Sequence, residues 1–148
     1  MRVLIPLDDS PGSERAFKKI LNRRFADGVR FKLVSVIEPI CTGAEADESL
    51  QEMIADAEQV RKQHFVRLLE RASDRLKLHF PAAQVEAEVR HGTAATQIIE
   101  AAGAWHADRI MMGAHGHDSC PHSFPGSASR AVVRAAPCTV EVLRDLPA

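Results

Sequence analysis

Residues 113–127 read GAHGHDSCPHSFPGS, in which Gly113, Gly116 and Gly126-Ser127 are spaced G-x2-G-x9-G-S. Glycine lets the main chain turn at positive φ and approach a ligand with no Cβ in the way. The apolar run Arg109-Ile-Met-Met112 comes before this loop, and a helix-like run from Ala128 to Arg134 follows it. A strand, a glycine loop and a helix start, in that order, make an anion site. The first N–H groups of the helix lack intrahelical acceptors, and its dipole favours negative charge there. Ser127 and Ser129 add hydroxyls at that start; the plainer role for either is an ordinary N-cap. A second loaded segment, Asp8-Asp9-Ser10, ends the apolar run Val3–Leu7. A carboxylate there can accept two hydrogen bonds from ribose or adenine donors. It can equally do no more than end the strand and cap the next helix. Together the two segments suggest phosphate and nucleoside binding.

The nine residues from His117 to Pro125 contain no Lys or Arg. His115, His117 and His122 are mostly neutral at pH 7, and Asp118 adds an acid where a phosphate would prefer none. Arg130, in the first turn of the last helix, offers a guanidinium fork for phosphate; the competing role is a surface ion pair. His115, His117, Cys120 and His122 also resemble a short metal-binding tract, but no spacing matches a closed zinc site, so no metal site is assigned. A Walker loop, G-x4-G-K-[ST], is lacking, and no nucleophile–base pair stands out. Any turnover of a nucleotide should be slow.

Bulk properties narrow the class. A chain of 148 residues, 45% hydrophobic and 26% charged, suits one ordinary globular domain. A net charge of −1 gives no global field toward nucleic acid or an anionic membrane. With aromatic residues at 5% and no Tyr, a stacking surface for single strands is not expected either. The first apolar run is too short for a secretory signal, and no run approaches the roughly 20 residues of a membrane helix. Cys41, Cys120 and Cys138 are odd in number and scattered, which suits a reducing compartment. A cytoplasmic protein without nucleic-acid or membrane partners is expected.

The chemical segments need a scaffold, and the pattern supplies one. Val3–Leu7 reads as a strand buried on both faces, with Pro6 near its end where a lost ladder bond matters least. A helix follows, with Asp9, Ser10 and Ser13 as capping candidates and Pro11 in its first turn. Phe31–Ile37 is a second strand. A long helix then runs from about Leu50 to Phe80; thirty residues would extend about 45 Å, so one end should overhang the sheet. Gln84–Arg90 alternates as an edge strand, Ala94–Trp105 is a helix, Arg109–Gly113 a strand, Gly126–Ala135 a helix and Cys138–Leu143 a strand. Such alternation implies a parallel sheet with right-handed crossovers and helices on both faces. Ligands on such sheets sit beyond the carboxyl ends of the strands, where the order reverses.

Read whole, the chain resembles the universal stress protein family, in its ATP-binding branch. The residues that carry the resemblance are Ile5-Pro6-Leu7-Asp8-Asp9-Ser10, Ser35-Val36-Ile37-Glu38, Met112-Gly113-x2-Gly116-x9-Gly126-Ser127 and Ala136-Pro137-Cys138-Thr-Val. The resemblance implies strand order 3-2-1-4-5 and a homodimer formed by antiparallel pairing of the last strands, Cys138 to Leu143. It implies ATP, accompanied by Mg or Mn, as the ligand. Asp8, flanked by Pro6, Leu7 and Ser10, would lie by the adenine and ribose, and the Val36 backbone would meet the adenine edge. Met112 and Gly113 would line base and ribose. Gly116, Gly126, Ser127 and Ser129 would hold the phosphates, with His115, His117, Ala128 and Arg130 beside them. The loop departs from the family, whose members usually carry basic residues there, and Arg130 stands where an acid is common. A nucleotide-dependent regulatory or stress-response factor with an unknown downstream partner is the implied function. The alternatives are a nucleotide-free interaction module of the same fold and a slow ATP-hydrolysing or nucleotidyl-transfer enzyme.

Overall fold

The computed structural model describes residues 1–40, 47–114 and 126–144. Its elements in chain order are β1 (Arg2–Pro6), α1 (Pro11–Leu21), β2 (Arg30–Ile37), α2 (Glu48–His79), β3 (Gln84–His91), α3 (Ala94–Trp105), β4 (Arg109–Gly113), α4 (Ser127–Ala135) and β5 (Thr139–Leu143). The five strands form a parallel sheet, as the alternation implied, in the order β3-β2-β1-β4-β5 that the family resemblance implied. Small differences lie at the ends. Leu7 falls just beyond β1, Cys138 just before β5, and Gly126 is the N-cap of α4 rather than its first residue.

The period of two along the strands divides the core between the two faces. Val3, Ile5, Phe31, Leu33 and Met111 point toward α1 and α2, where Phe17, Ile20, Leu69 and Leu76 meet them. Leu4, Val34, Ile110 and Met112 point the other way, to Ile98, Trp105 and Val132 of α3 and α4. Trp105 closes α3, its indole N–H donating to Glu86 Oε2 at 2.8 Å. His106 then takes the left-handed conformation, at φ 55°, that ends the helix.

The long helix behaves as its length requires. At 32 residues it extends about 48 Å. Its buried residues, Phe65, Leu69, Ala72 and Leu76, all lie in its second half, where it packs on β2 and β3. Leu50, Met53 and Val60 of the first half are exposed. No helix among the described residues is long and apolar enough to cross a membrane.

Candidate functional site

Proline explains where the sheet opens. Backbone N–H groups point alternately to the two edges of a strand, and Leu7 N–H donates to Val34 O of β2 at 2.8 Å. Position 6 therefore faces β4, and Pro6 has no hydrogen to give it. The β1–β2 ladder runs to Pro6↔Val34, whereas the β1–β4 ladder stops at Leu4↔Ile110. Beyond that point the two central strands part, and a cavity of about 450 Å³ lies at their carboxyl ends. That volume is in the range of small-molecule sites. Pro6, Leu7, Asp8, Val36, Met112 and Gly113 line it, together with Gly126, Ser127, Ala128 and Ser129. The segments that the sequence singled out therefore meet in one place.

Asp8 is held by its own turn. Its Oδ1 accepts the Ser10 N–H at 2.9 Å and also the Ser10 hydroxyl, while the Asp8 N–H donates to Ser13 Oγ at 3.1 Å. Ser10 Oγ in turn accepts the Ser13 N–H at 3.2 Å and so caps α1. Ser10 is thus a buried support that does not line the cavity, and Ser13 lines it instead. Asp8 therefore does not cap α1 itself but holds the residue that does, and a ligand-facing role stays open because Oδ2 is engaged by no described residue.

The other end of the cavity is the start of α4. Gly126 at the N-cap has no side chain to satisfy the first amides, and no side-chain cap hydrogen bond is made. The N–H groups of Ser127, Ala128 and Ser129, the orphan donors of a helix N-terminus, have no acceptor among the described residues, and these residues line the cavity. Ser129 is buried, and its hydroxyl donates to Ala114 O at 2.9 Å, with Gly126 O also in reach at 3.0 Å. Gly126 N–H donates to the same Ala114 oxygen. This pair of bonds fixes α4 to the end of β4. Arg130, one residue further, is exposed and does not line the cavity; its place on the helix turns it outward. His115, Gly116 and His117, with the rest of the histidine tract, lie outside the described residues.

The glycines need a different account from the one their spacing suggested. Gly126 has φ −62°, and among the described glycines only Gly28 and Gly92 have positive φ. Gly113 is needed for packing. A Cβ there would come within 3.1 Å of Gly12 O and 3.5 Å of Ala16 Cβ, so α1 could not lie so close to β4.

Sequence reasoning missed the part of the cavity wall that lies away from the glycine motif. Arg61 and Phe65 of α2, Glu38 after β2, and Thr93, Ala94 and Ile98 at the start of α3 also line the cavity. Glu38 does two things there. Its Oε1 accepts the Ala94 N–H at 3.0 Å, doing for α3 what the Thr93 side chain does not, and its carbonyl oxygen accepts Arg61 Nη1–H at 3.1 Å. Arg61 is the one basic side chain among the described residues of the cavity wall. The pair Arg61-x3-Phe65, at the point where the exposed part of α2 gives way to its buried stripe, was the signal available.

Comparison with known proteins agrees with this geometry. The model of the universal stress protein family matches residues 1–144. No curated protein matches. Among solved structures, the universal stress protein UspA from Lactobacillus plantarum superposes with a TM-score of 0.80 at 21% identity, covering 97% of each chain. A universal stress protein in complex with cAMP gives 0.65 at 18% identity, over 97% of this chain and 96% of that one. A family protein from Arabidopsis thaliana with AMP bound gives 0.66 at 17% identity, over 97% and 91%. At these identities the likeness is one of fold. With the family model spanning nearly the whole sequence and the strand order agreeing, the chain belongs to the universal stress protein family.

Proposed function

We propose that this protein is a nucleotide-dependent regulatory factor of the stress response that binds an adenine nucleotide, ATP with Mg or Mn, in the cavity between β1 and β4. The observation that carries this reading is the bare N-terminus of α4 at one end of a cavity whose middle is apolar and whose near edge holds Asp8. Phosphate would sit on the Ser127, Ala128 and Ser129 amides, and the Asp8 carboxylate would accept from the ribose hydroxyls. The main chain at Val36 would meet the adenine edge. The cAMP-bound and AMP-bound relatives support the choice of base. ATP would be held rather than rapidly turned over, because the sequence offers neither a Walker lysine nor a nucleophile–base pair.

The proposed assembly is a cytoplasmic homodimer made by antiparallel pairing of two β5 strands, from Cys138 to Leu143. β5 lies at the edge of the sheet with β4 on one side, and an open edge is a template for strand pairing. A downstream protein would read the nucleotide-bound dimer, and neither nucleic acid nor membrane is part of the proposal.

Calorimetry and thermal melts with ATP, ADP and AMP plus magnesium test the nucleotide. Ligand at 100 times its dissociation constant adds about 2.7 kcal/mol to the native state, which raises the melting temperature of a domain this size by several degrees. No heat of binding and an unmoved melt with all three would refute the reading in favour of a nucleotide-free module.

A further inference from the structure

Resting on that nucleotide reading, we propose that Arg61 and Phe65 form the wall of the cavity on which the nucleobase stacks, so that a helix outside the glycine motif recognises the purine. The two side chains are one helical turn apart, the spacing that puts residues on one face of a helix, and both line the cavity. Phe65 is buried and Arg61 half-buried. Arg61 is oriented before any ligand arrives, because its Nη1–H donates to the Glu38 carbonyl at 3.1 Å. One nitrogen of the fork is used there, and the face of the guanidinium plane stays available for stacking.

The position of this pair favours a role at the nucleoside end over one at the phosphates. β2, whose end carries Glu38, is separated from β4 by β1. Two strand spacings amount to about 10 Å, and the α4 amides lie on the β4 side. The intervening lining from the opposite layer, Val34, Val36 and Ile98, is apolar. A flat, weakly polar ring matches the apolar character of these aliphatic side chains and the Arg61–Phe65 wall better than a triphosphate does. The sequence between Gly113 and Gly126 holds no Lys or Arg, so charge attraction at the phosphate end is weak and the nucleoside end carries more of the selectivity. Arginine suits that task, since its planar cation stacks on π systems where lysine offers a hydrated point charge.

The test is a calorimetric titration of the full chain and its Arg61→Ala and Arg61→Lys variants with adenosine, AMP and ATP. Stacking predicts that Arg61→Ala weakens all three by a similar factor, about tenfold. It also predicts that Arg61→Lys, which keeps the charge and loses the plane, restores little of the loss. The ligand-free melting temperatures of the variants should match that of the parent, which shows that both fold. A loss that grows from adenosine to ATP, or full rescue by lysine, would assign Arg61 to phosphate charge and overturn the proposal. Parent-like affinity of Arg61→Ala would overturn it alone, leaving nucleotide binding intact. A parent that binds none of the three ligands defeats the nucleotide reading and this proposal together.

Discussion

Gly113 of β4 and Gly12 of α1 touch main chain to main chain: a β-carbon on Gly113 would lie 3.1 Å from the Gly12 carbonyl oxygen. Backbone cannot swing aside as a side chain can. Gly113→Ala should therefore destabilise the protein by about 1–3 kcal/mol, the usual cost of overpacking. Urea denaturation reads this directly, and an unchanged midpoint would show that α1 can shift without penalty.

Asp8 allows its two roles to be separated. Asparagine keeps an Oδ1 acceptor for the Ser10 N–H and hydroxyl but replaces the second carboxylate oxygen by a donor. Asp8→Asn should leave stability within about 1 kcal/mol and weaken nucleotide binding at least about tenfold. Asp8→Ala should lose both, since the turn into α1 also loses its acceptor. Nucleotide affinity of Asp8→Asn equal to the parent's would confine Asp8 to the turn.

Glu38 substitutes for a missing cap. Thr93 makes no side-chain cap bond, and the Glu38 carboxylate accepts from Ala94 instead. Glu38→Ala should cost about 1 kcal/mol, in the range of an N-cap loss. Glu38→Gln should recover most of that, because its amide oxygen can still accept. Thermal melts of the two variants decide the matter.

Cys138 should be slow to react. Burial pushes its thiol above the ordinary value, the nearby Asp108 carboxylate pushes the same way, and a backbone hydrogen bond with Ile110 opposes them. The thiol therefore stays protonated through neutral pH, and alkylation by iodoacetamide should become fast only above the ordinary thiol range of about 8.5. The folded state holds this proton more tightly than the unfolded one, so the contribution is full below the unfolded value and is lost as pH rises through the folded value. Alkylation of Cys138 that is already fast at pH 7 in a folded Cys41→Ala, Cys120→Ala variant would contradict this.

Much of this architecture was legible because local signals agreed with one another. Apolar runs bounded by glycine, proline and aspartate marked β1 and β4, and α3 has the bounds its periodicity predicts. Convergence of Asp8 with Met112-Gly113 was expected if β1 is central, and β1 does lie between β2 and β4. What could not be read was which part of a 32-residue helix reaches the cavity. That depends on where α2 crosses β2 and β3, a tertiary fact, so Arg61 and Phe65 looked like any charged and apolar pair. The glycines misled in a second way. Their spacing is visible in sequence, but whether each serves φ, a ligand or a neighbouring helix is decided by packing, and Gly113 serves Gly12.

The overhang of α2 divides this helix into two unequal halves as regards local opening. From Glu48 to His64 no residue is buried, whereas Phe65, Leu69, Ala72 and Leu76 are clamped by the sheet. Deuterium should consequently enter the first half through fraying, at little free-energy cost, and the second only through global unfolding. A ligand stacked on Arg61, at the junction, would move that boundary outward and slow exchange in the turns before it.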